Sequence, residues 1–451
     1  MVLLSHFLTE RLTSATAFEE QLDRLHEKYV AGGLAYAIEQ DGVSLAAMAQ
    51  DAGRFSRALV KDIRAGRYAL EPAQLRMITV GEKERLIYKF RLTDLLVHGV
   101  VSAALHDWFL PRFSPRLYSY IKGRDWWDAL RDFSAFVRAH FRSKADKRSL
   151  GLYVLRRDIA KYTDSIPVGD SSPLWPLLLR ETGFPAKPEG VDRIAWDLCR
   201  GVIRTEAFTL DGAGHFTNLV GVPTGSPIST TLFNVYIVEL DRKLDALEPG
   251  FYARYGDDLL FADIDPEKAR RADEIIRTTL KEHRLRSNVD KSRNLFFNGA
   301  GRPSSAWPAA KGSPSVEFLG CRISADATVA LGPKNHRLLI ADLEDRLRRL
   351  TANLPRNAPP AERGPLVCRI LNEALDPESA LAQKSAAALR YSVTDREYLK
   401  ELDREILKMA LKWISGSRSV KAFREFSPAR LRRQWKLISL YHARNMQGKK
   451  R

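Results

Sequence analysis

"FYARYGDDLLFAD", residues 251–263, sets two adjacent carboxylates, Asp257 and Asp258, between two short apolar runs. A strand, a tight turn and a second strand account for the pattern, because Gly-Asp pairs tolerate the backbone angles of a hairpin connection. Two like charges side by side also repel unless a cation holds them, which points to a metal site. Taken alone, the stretch favours the plain turn. The rest of the chain decides whether it is more.

At 451 residues the chain suits two or three subdomains, and its 45% hydrophobic content is that of a globular protein. The formal net charge of +17 favours a polyanionic partner, nucleic acid before membrane, over a merely basic surface. Cys199, Cys321 and Cys368 stand apart, with no Cys-x-x-Cys pair; this fits a reducing cytosol and no structural zinc module. The N-terminal apolar run is too short for a signal peptide, and no stretch approaches the roughly 20 apolar residues of a membrane span. A soluble, cytoplasmic protein with no membrane partner is expected.

Residues 1–75 read as amphipathic helices, with Phe18, Leu22 and Leu25 on one stripe. "LRMITVGEKERLIYKF", residues 75–90, reads as a β-hairpin, and 93–140 as helical with packed aromatics. "LGLYVLRRDIAKY" reads as a buried strand ending near Asp158, and 171–210 as mainly helical. A Gly/Pro/Ser loop from Gly221 runs into one long helix from about Pro227. A helix across 266–284 and a strand "SVEFLGCRIS", residues 315–324, come after the Gly-Asp-Asp hairpin. Past Gly332 helices continue to the end, with "NLPRNAPPAERGP" as an internal loop. In the last stretch Phe423, Phe426, Trp435 and Tyr441 interleave with Arg and Lys. They either stack on bases along a phosphate backbone or face a core beneath solvated charges.

Asp158 and the 257/258 pair together would suit two divalent cations roughly 3.5–4 Å apart, the arrangement of phosphoryl transfer. Mg²⁺ prefers such hard oxygen ligands to Cys or His. The segments "RRDIAKYTDSI", "GVPTGSPISTTLFN", "RYGDDLLF", "SNVDKSRN" and "VEFLGCRIS" succeed one another in this order. Together they resemble the successive palm motifs of a reverse transcriptase, particularly of bacterial retroelements and stand-alone, defence-associated relatives. Upstream, "GEKERLIYKFRLTDLLVHGVVSAAL" is similar to the fingers segment, and "PRLYSYIKGR" to the stretch commonly found next in such enzymes.

The resemblance implies an α+β right-hand polymerase with fingers, an antiparallel-sheet palm and a helical thumb. A helical N-terminal extension (1–75) would precede fingers and palm (76–330) and a basic helical thumb (331–451). It implies an RNA-directed DNA polymerase, a nucleotidyltransferase using two Mg²⁺ ions, an RNA template, a DNA product and dNTPs. A companion non-coding RNA or protein is left open. By the same resemblance Asp158, Asp257 and Asp258 are the catalytic metal ligands, while Asp164 is a local turn or cap residue. Arg85, with Lys83 second, holds the triphosphate; Gly225 lets backbone approach the nascent pair or template; and Lys291 assists pyrophosphate departure. Leu319 and Gly320 lie under the primer end.

Three positions depart from the family pattern. The aromatic expected five residues after Asp158 is Thr163, so either Tyr162 takes its place or ribonucleotides are poorly excluded. Thr224 and Thr230 stand where Gln and Pro are usual. No RNase H carboxylate set, integrase-type domain or Cys/His nuclease module is recognisable. Two alternatives stand beside this reading: an RNA-dependent RNA polymerase, for which Gly-Asp-Asp is usual, and a polymerase-derived nucleic-acid-binding protein without catalysis.

Overall fold

The computed structural model describes residues 4–30, 39–40, 42–80, 83–142, 151–182, 187–352, 354–355, 358–379, 382, 385–416 and 420–447. Within the expected helical stretch 1–75, Glu39–Gln40 and Val43–Ser44 form a two-residue antiparallel pair. The longer strands are β1 (Gln74–Val80), β2 (Lys83–Lys89), β3 (Leu152–Asp158), β4 (Glu206–Phe208), β5 (His215–Thr217), β6 (Phe251–Tyr255), β7 (Asp258–Asp263), β8 (Arg293–Phe297), β9 (Lys311–Ser313), β10 (Ser315–Phe318), β11 (Cys321–Ser324) and β12 (Val329–Leu331). The central sheet has the order β9-β8-β3-β7-β6. Strand β3 is buried along nearly its whole length, as its near-continuous apolar run requires. It pairs antiparallel with β8, Val154 opposite Leu295, whereas β9 runs parallel to β8. The sheet is therefore mixed, not purely antiparallel. The three-residue Lys-Gly-Ser edge strand carries no sequence signal.

The chain forms two compact units. The first comprises Met1–Arg124, Arg157–Leu259 and Arg270–Ser292. At its centre the helix Leu92–Phe109 is buried on most sides, through Leu96, Val97, Val100, Val101, Ala104 and Leu105. Its buried polar residues all have partners: Asp94 with Tyr68, His98 with Ser226, and Ser102 with Thr231 and the Pro227 carbonyl. N-terminal helices Leu4–Leu12 and Ala15–Val30 bury Leu8, Leu12, Phe18 and Leu22, while Leu25 is only half-buried. The expected long helix is two, Ile228–Val235 and Val238–Asp245. The Tyr162 hydroxyl donates to the Phe233 carbonyl (2.7 Å), and the Arg254 guanidinium to those of Phe233 (3.3 Å) and Asn234 (3.4 Å). These are the carbonyls that residues 237 and 238 would use to continue the helix.

The second unit comprises Asp125–Arg156, Leu260–Ala269 and Arg293–Arg451. Here the expected single strand over 315–324 is a hairpin, β10 and β11, turned by Leu319 (φ 47°) and Gly320 (φ 77°). Helices continue from Pro333; the first buries Leu339, Leu343 and Leu347 on one stripe. The helix Pro360–Leu375 takes up the end of the expected loop, with prolines in its opening turns. Phe426 is buried and stacks on Trp435, whose ring fills the space beside Gly364, while Arg424, Arg430, Arg432 and Arg433 stay exposed. Phe426 and Trp435 thus face the core, whereas Tyr441 is half-buried beneath Lys400 Nζ (5.2 Å from its ring centroid); the Phe423 side chain lies outside the described residues. Among the described residues, no helix is long and apolar enough to cross a membrane.

Candidate active site

Strand β3 ends at Asp158, which is buried. Its carbonyl accepts from the Asn288 N–H (2.7 Å), and the Ile159 N–H donates to the Asp257 carbonyl (3.1 Å). Backbone bonds thus tie the strand end both to the β6–β7 turn and to the segment carrying Lys291. Within that turn Gly256 adopts φ 62°, a left-handed value that glycine reaches without penalty. Its N–H donates to Ser119 Oγ (2.9 Å). The Gly-Asp-Asp hairpin is therefore a turn, and the turn delivers Asp257 beside Asp158.

Electrostatics register the proximity. Burial, then the neighbouring Asp158 charge, raises the Asp257 carboxyl above its ordinary range, while Lys291 pulls the other way. Lys291 Nζ lies 2.6 Å from Asp158 Oδ2, and this hydrogen bond, with the charges of Asp158, Asp258 and Asp257, raises the ammonium's own pKa. Among the described residues, no group of three or more His, Cys, Asp and Glu side chains is arranged to hold a metal ion. The carboxylate pair Asp158/Asp257 is nevertheless a hard-oxygen donor set of the kind Mg²⁺ prefers, with one cationic group already drawn to it.

Above the pair lies a cavity of about 1100 Å³, lined among others by Tyr88, Tyr120, Asp158, Thr163, Asp164, Gly225, Phe233, Asp257 and Lys291. It has room for a nucleotide. Tyr162 is buried, with its hydroxyl spent on the Phe233 carbonyl; Thr163 beside it is half-buried and accepts the Val222 N–H (2.9 Å). Gly225 has φ 109°, and a Cβ there would come within 2.6 Å of the Tyr88 carbonyl oxygen. Glycine is needed at this point for the approach of strand β2, whose Tyr88 N–H donates to the Thr224 carbonyl (2.8 Å). Lys83 and Arg85 have their backbones in β2; their side chains lie outside the described residues. Leu319 and Gly320 form the β10–β11 turn of the second unit, where the Gly320 carbonyl accepts from Gly332 N–H (2.9 Å) and Asn335 Nδ2 (3.1 Å).

A buried network beneath the turn was not foreseen. Arg254 and Asp241 form an ion pair at 2.6 Å with both side chains fully enclosed, and the Tyr252 hydroxyl donates to Asp241 (2.6 Å). Arg254 also donates to the Gly256 carbonyl (3.3 Å). Asn234 Nδ2 donates to the Ser119 carbonyl (2.8 Å), and Ser119 Oγ to Asn234 Oδ1 (3.1 Å). A charged residue within the apolar strand Phe251–Tyr255 was the available signal.

No curated protein matches the chain. Among solved structures, one of apo telomerase from Candida tropicalis, truncated from the C-terminal domain, is similar at 14% identity with a TM-score of 0.42. The match covers 58% of this chain and 56% of that one, so the chain spans little more than half of the telomerase structure's length. Residues 82–323, more than half of the chain, match the family model described as reverse transcriptase (RNA-dependent DNA polymerase). The chain belongs to the reverse transcriptase family.

Proposed function

We propose that the chain is an RNA-directed DNA polymerase that joins dNTPs to a primer 3′-hydroxyl on an RNA template. The observation that carries this reading is the buried Asp158 coupled to Asp257 and Lys291 at one wall of a nucleotide-sized cavity. Two Mg²⁺ ions, held by Asp158 and Asp257 with Asp258 alongside, would supply Lewis-acid activation of the attacking oxygen and charge stabilisation of the leaving one. The 3′-oxygen forms a bond to the α-phosphorus, the bond from that phosphorus to the bridging oxygen breaks, and pyrophosphate departs. Lys291 serves the departing group as a charge or a proton donor at Nζ, because it already stands at the carboxylates. Arg85, with Lys83 second, would grip the triphosphate, since guanidinium matches phosphate geometry. Gly225 and Thr163 would border the nascent pair; Tyr162, the other sugar contact the resemblance offers, lines the same cavity but has its hydroxyl bonded to the Phe233 carbonyl. Leu319 and Gly320 would support the primer end.

In this proposal 1–75 is an extension, 76–330 fingers and palm, and 331–451 thumb. The wider setting, bacterial antiphage defence in the cytoplasm with or without a companion RNA or protein, rests on family resemblance alone. Purified protein given Mg²⁺, a primed RNA template and either dNTPs or rNTPs tests the chemistry. Extension with dNTPs supports the proposal, preferential use of rNTPs favours an RNA polymerase, and binding without extension of any primed template contradicts both.

A further inference from the structure

The wall of the cavity carries an aromatic ring, from the segment "PRLYSYIKGR", to which no role has been given. Tyr120 is 48% exposed, a large ring left open, and it lines the cavity together with Asp257. Its centroid lies 6.1 Å from Phe233 and 6.5 Å from Tyr255. Burial, and then the Asp257 charge, raises the phenol's pKa, which places the ring within electrostatic reach of that carboxylate.

The backbone is unusual as well. Tyr120 adopts φ 56°, a conformation that non-glycine residues rarely take and that persists only where the surroundings impose it. The surroundings here are explicit: Ser119, immediately before it, is bonded to Asn234 on one side and to the Gly256 N–H on the other. The same anchor that fixes the carboxylate turn therefore holds Tyr120 in this strained presentation.

The residues expected to contact the sugar leave that task open. Thr163 has no ring, and Tyr162 is enclosed with its hydroxyl taken. Tyr88, which also lines the cavity, belongs to strand β2 and sits against Thr224. The phosphorus under attack must lie at the carboxylates, and a furanose follows on each side of it: the primer's through the 3′-oxygen, the nucleotide's through O5′ and C5′. We propose that Tyr120 packs its ring on the furanose of a nucleotide held at Asp257, positioning it and contributing to the choice of sugar. The inference rests on the polymerase reading above.

Single-nucleotide incorporation on one primed RNA template, by Tyr120→Phe, Tyr120→Ala and Tyr120→Gly, tests it. The Phe variant keeps the wild-type KM values. The Ala and Gly variants raise the nucleotide KM about fivefold to tenfold, change kcat less, and shift the ratio of dNTP to rNTP use. If the furanose is the primer's, the KM for primed template rises instead, and deoxy- and ribo-ended primers diverge. Gly relaxes the backbone and melts no lower than Ala, so an equal KM defect in both assigns the loss to the ring and not to misfolding. Ala and Gly variants that keep both KM values and the sugar ratio while extending normally overturn the inference and leave the polymerase reading standing. A wild-type chain that extends no primer overturns both.

Discussion

Arg254 is the residue on which the site's rigidity turns. Its guanidinium meets Asp241 in full burial and also reaches the carbonyls of Phe233, Asn234 and Gly256. One side chain thus interrupts a helix, pairs a buried carboxylate and steadies the turn that carries Asp257. Removing one partner of such a pair leaves the other charged and enclosed, at a cost of about 3–5 kcal/mol. Arg254→Met should therefore destabilise the protein on that scale, while Arg254→Met with Asp241→Leu should lose less than Arg254→Met alone. Chemical denaturation of the three proteins checks this; equal stability of Arg254→Met and wild type would contradict it.

At the level of elements, the helix Leu92–Phe109 joins the fold to the chemistry. Its buried His98 bonds Ser226 Oγ (2.6 Å) in the loop that carries Gly225 and packs against the ring of Phe90 (centroids 4.4 Å apart), the residue just past strand β2. Burial lowers the His98 pKa to about 3 from 6.5, so the native imidazole is neutral where the unfolded one takes a proton. Stability from this group is complete above about pH 6.5 and falls as the pH drops toward 3, by about 1.4 kcal/mol per pH unit for one proton. Melting midpoints at pH 7.5, 6.5 and 5.5 should fall more steeply for the wild type than for His98→Gln; parallel profiles would count against the assignment. The β10–β11 turn shows the opposite economy. It needs two positive φ values, and leucine supplies one of them although nothing in its chemistry favours that conformation.

Over the whole molecule, the features legible in the sequence came from short-range pattern. The apolar run before Asp158 and the paired strands around Gly-Asp-Asp are local signals, and each element stands where the pattern put it. Features set by distant partners were not legible. The helix break at Tyr236–Ile237 depends on Tyr162 and Arg254, and the inward turn of Phe426 and Trp435 depends on Gly364. The place of Tyr120 depends on Asn234 and Gly256. The candidate site divides the same way: Asp158 and Asp257 meet as the segments suggested, but the ammonium of Lys291 on Asp158 and the ion pair beneath had to be seen. Nucleotidyl transfer by Asp158 and Asp257 together is the proposal on which the rest depends. Its most direct test is single-nucleotide incorporation with Mg²⁺ on a primed RNA template by Asp158→Asn and Asp257→Asn, beside their melting midpoints and primed-template affinities. Because burial already disfavours the Asp257 charge, Asp257→Asn should melt no lower than the wild type. Both variants should bind primed template normally while incorporation falls by roughly a thousandfold; incorporation at the wild-type rate by either one would contradict the account.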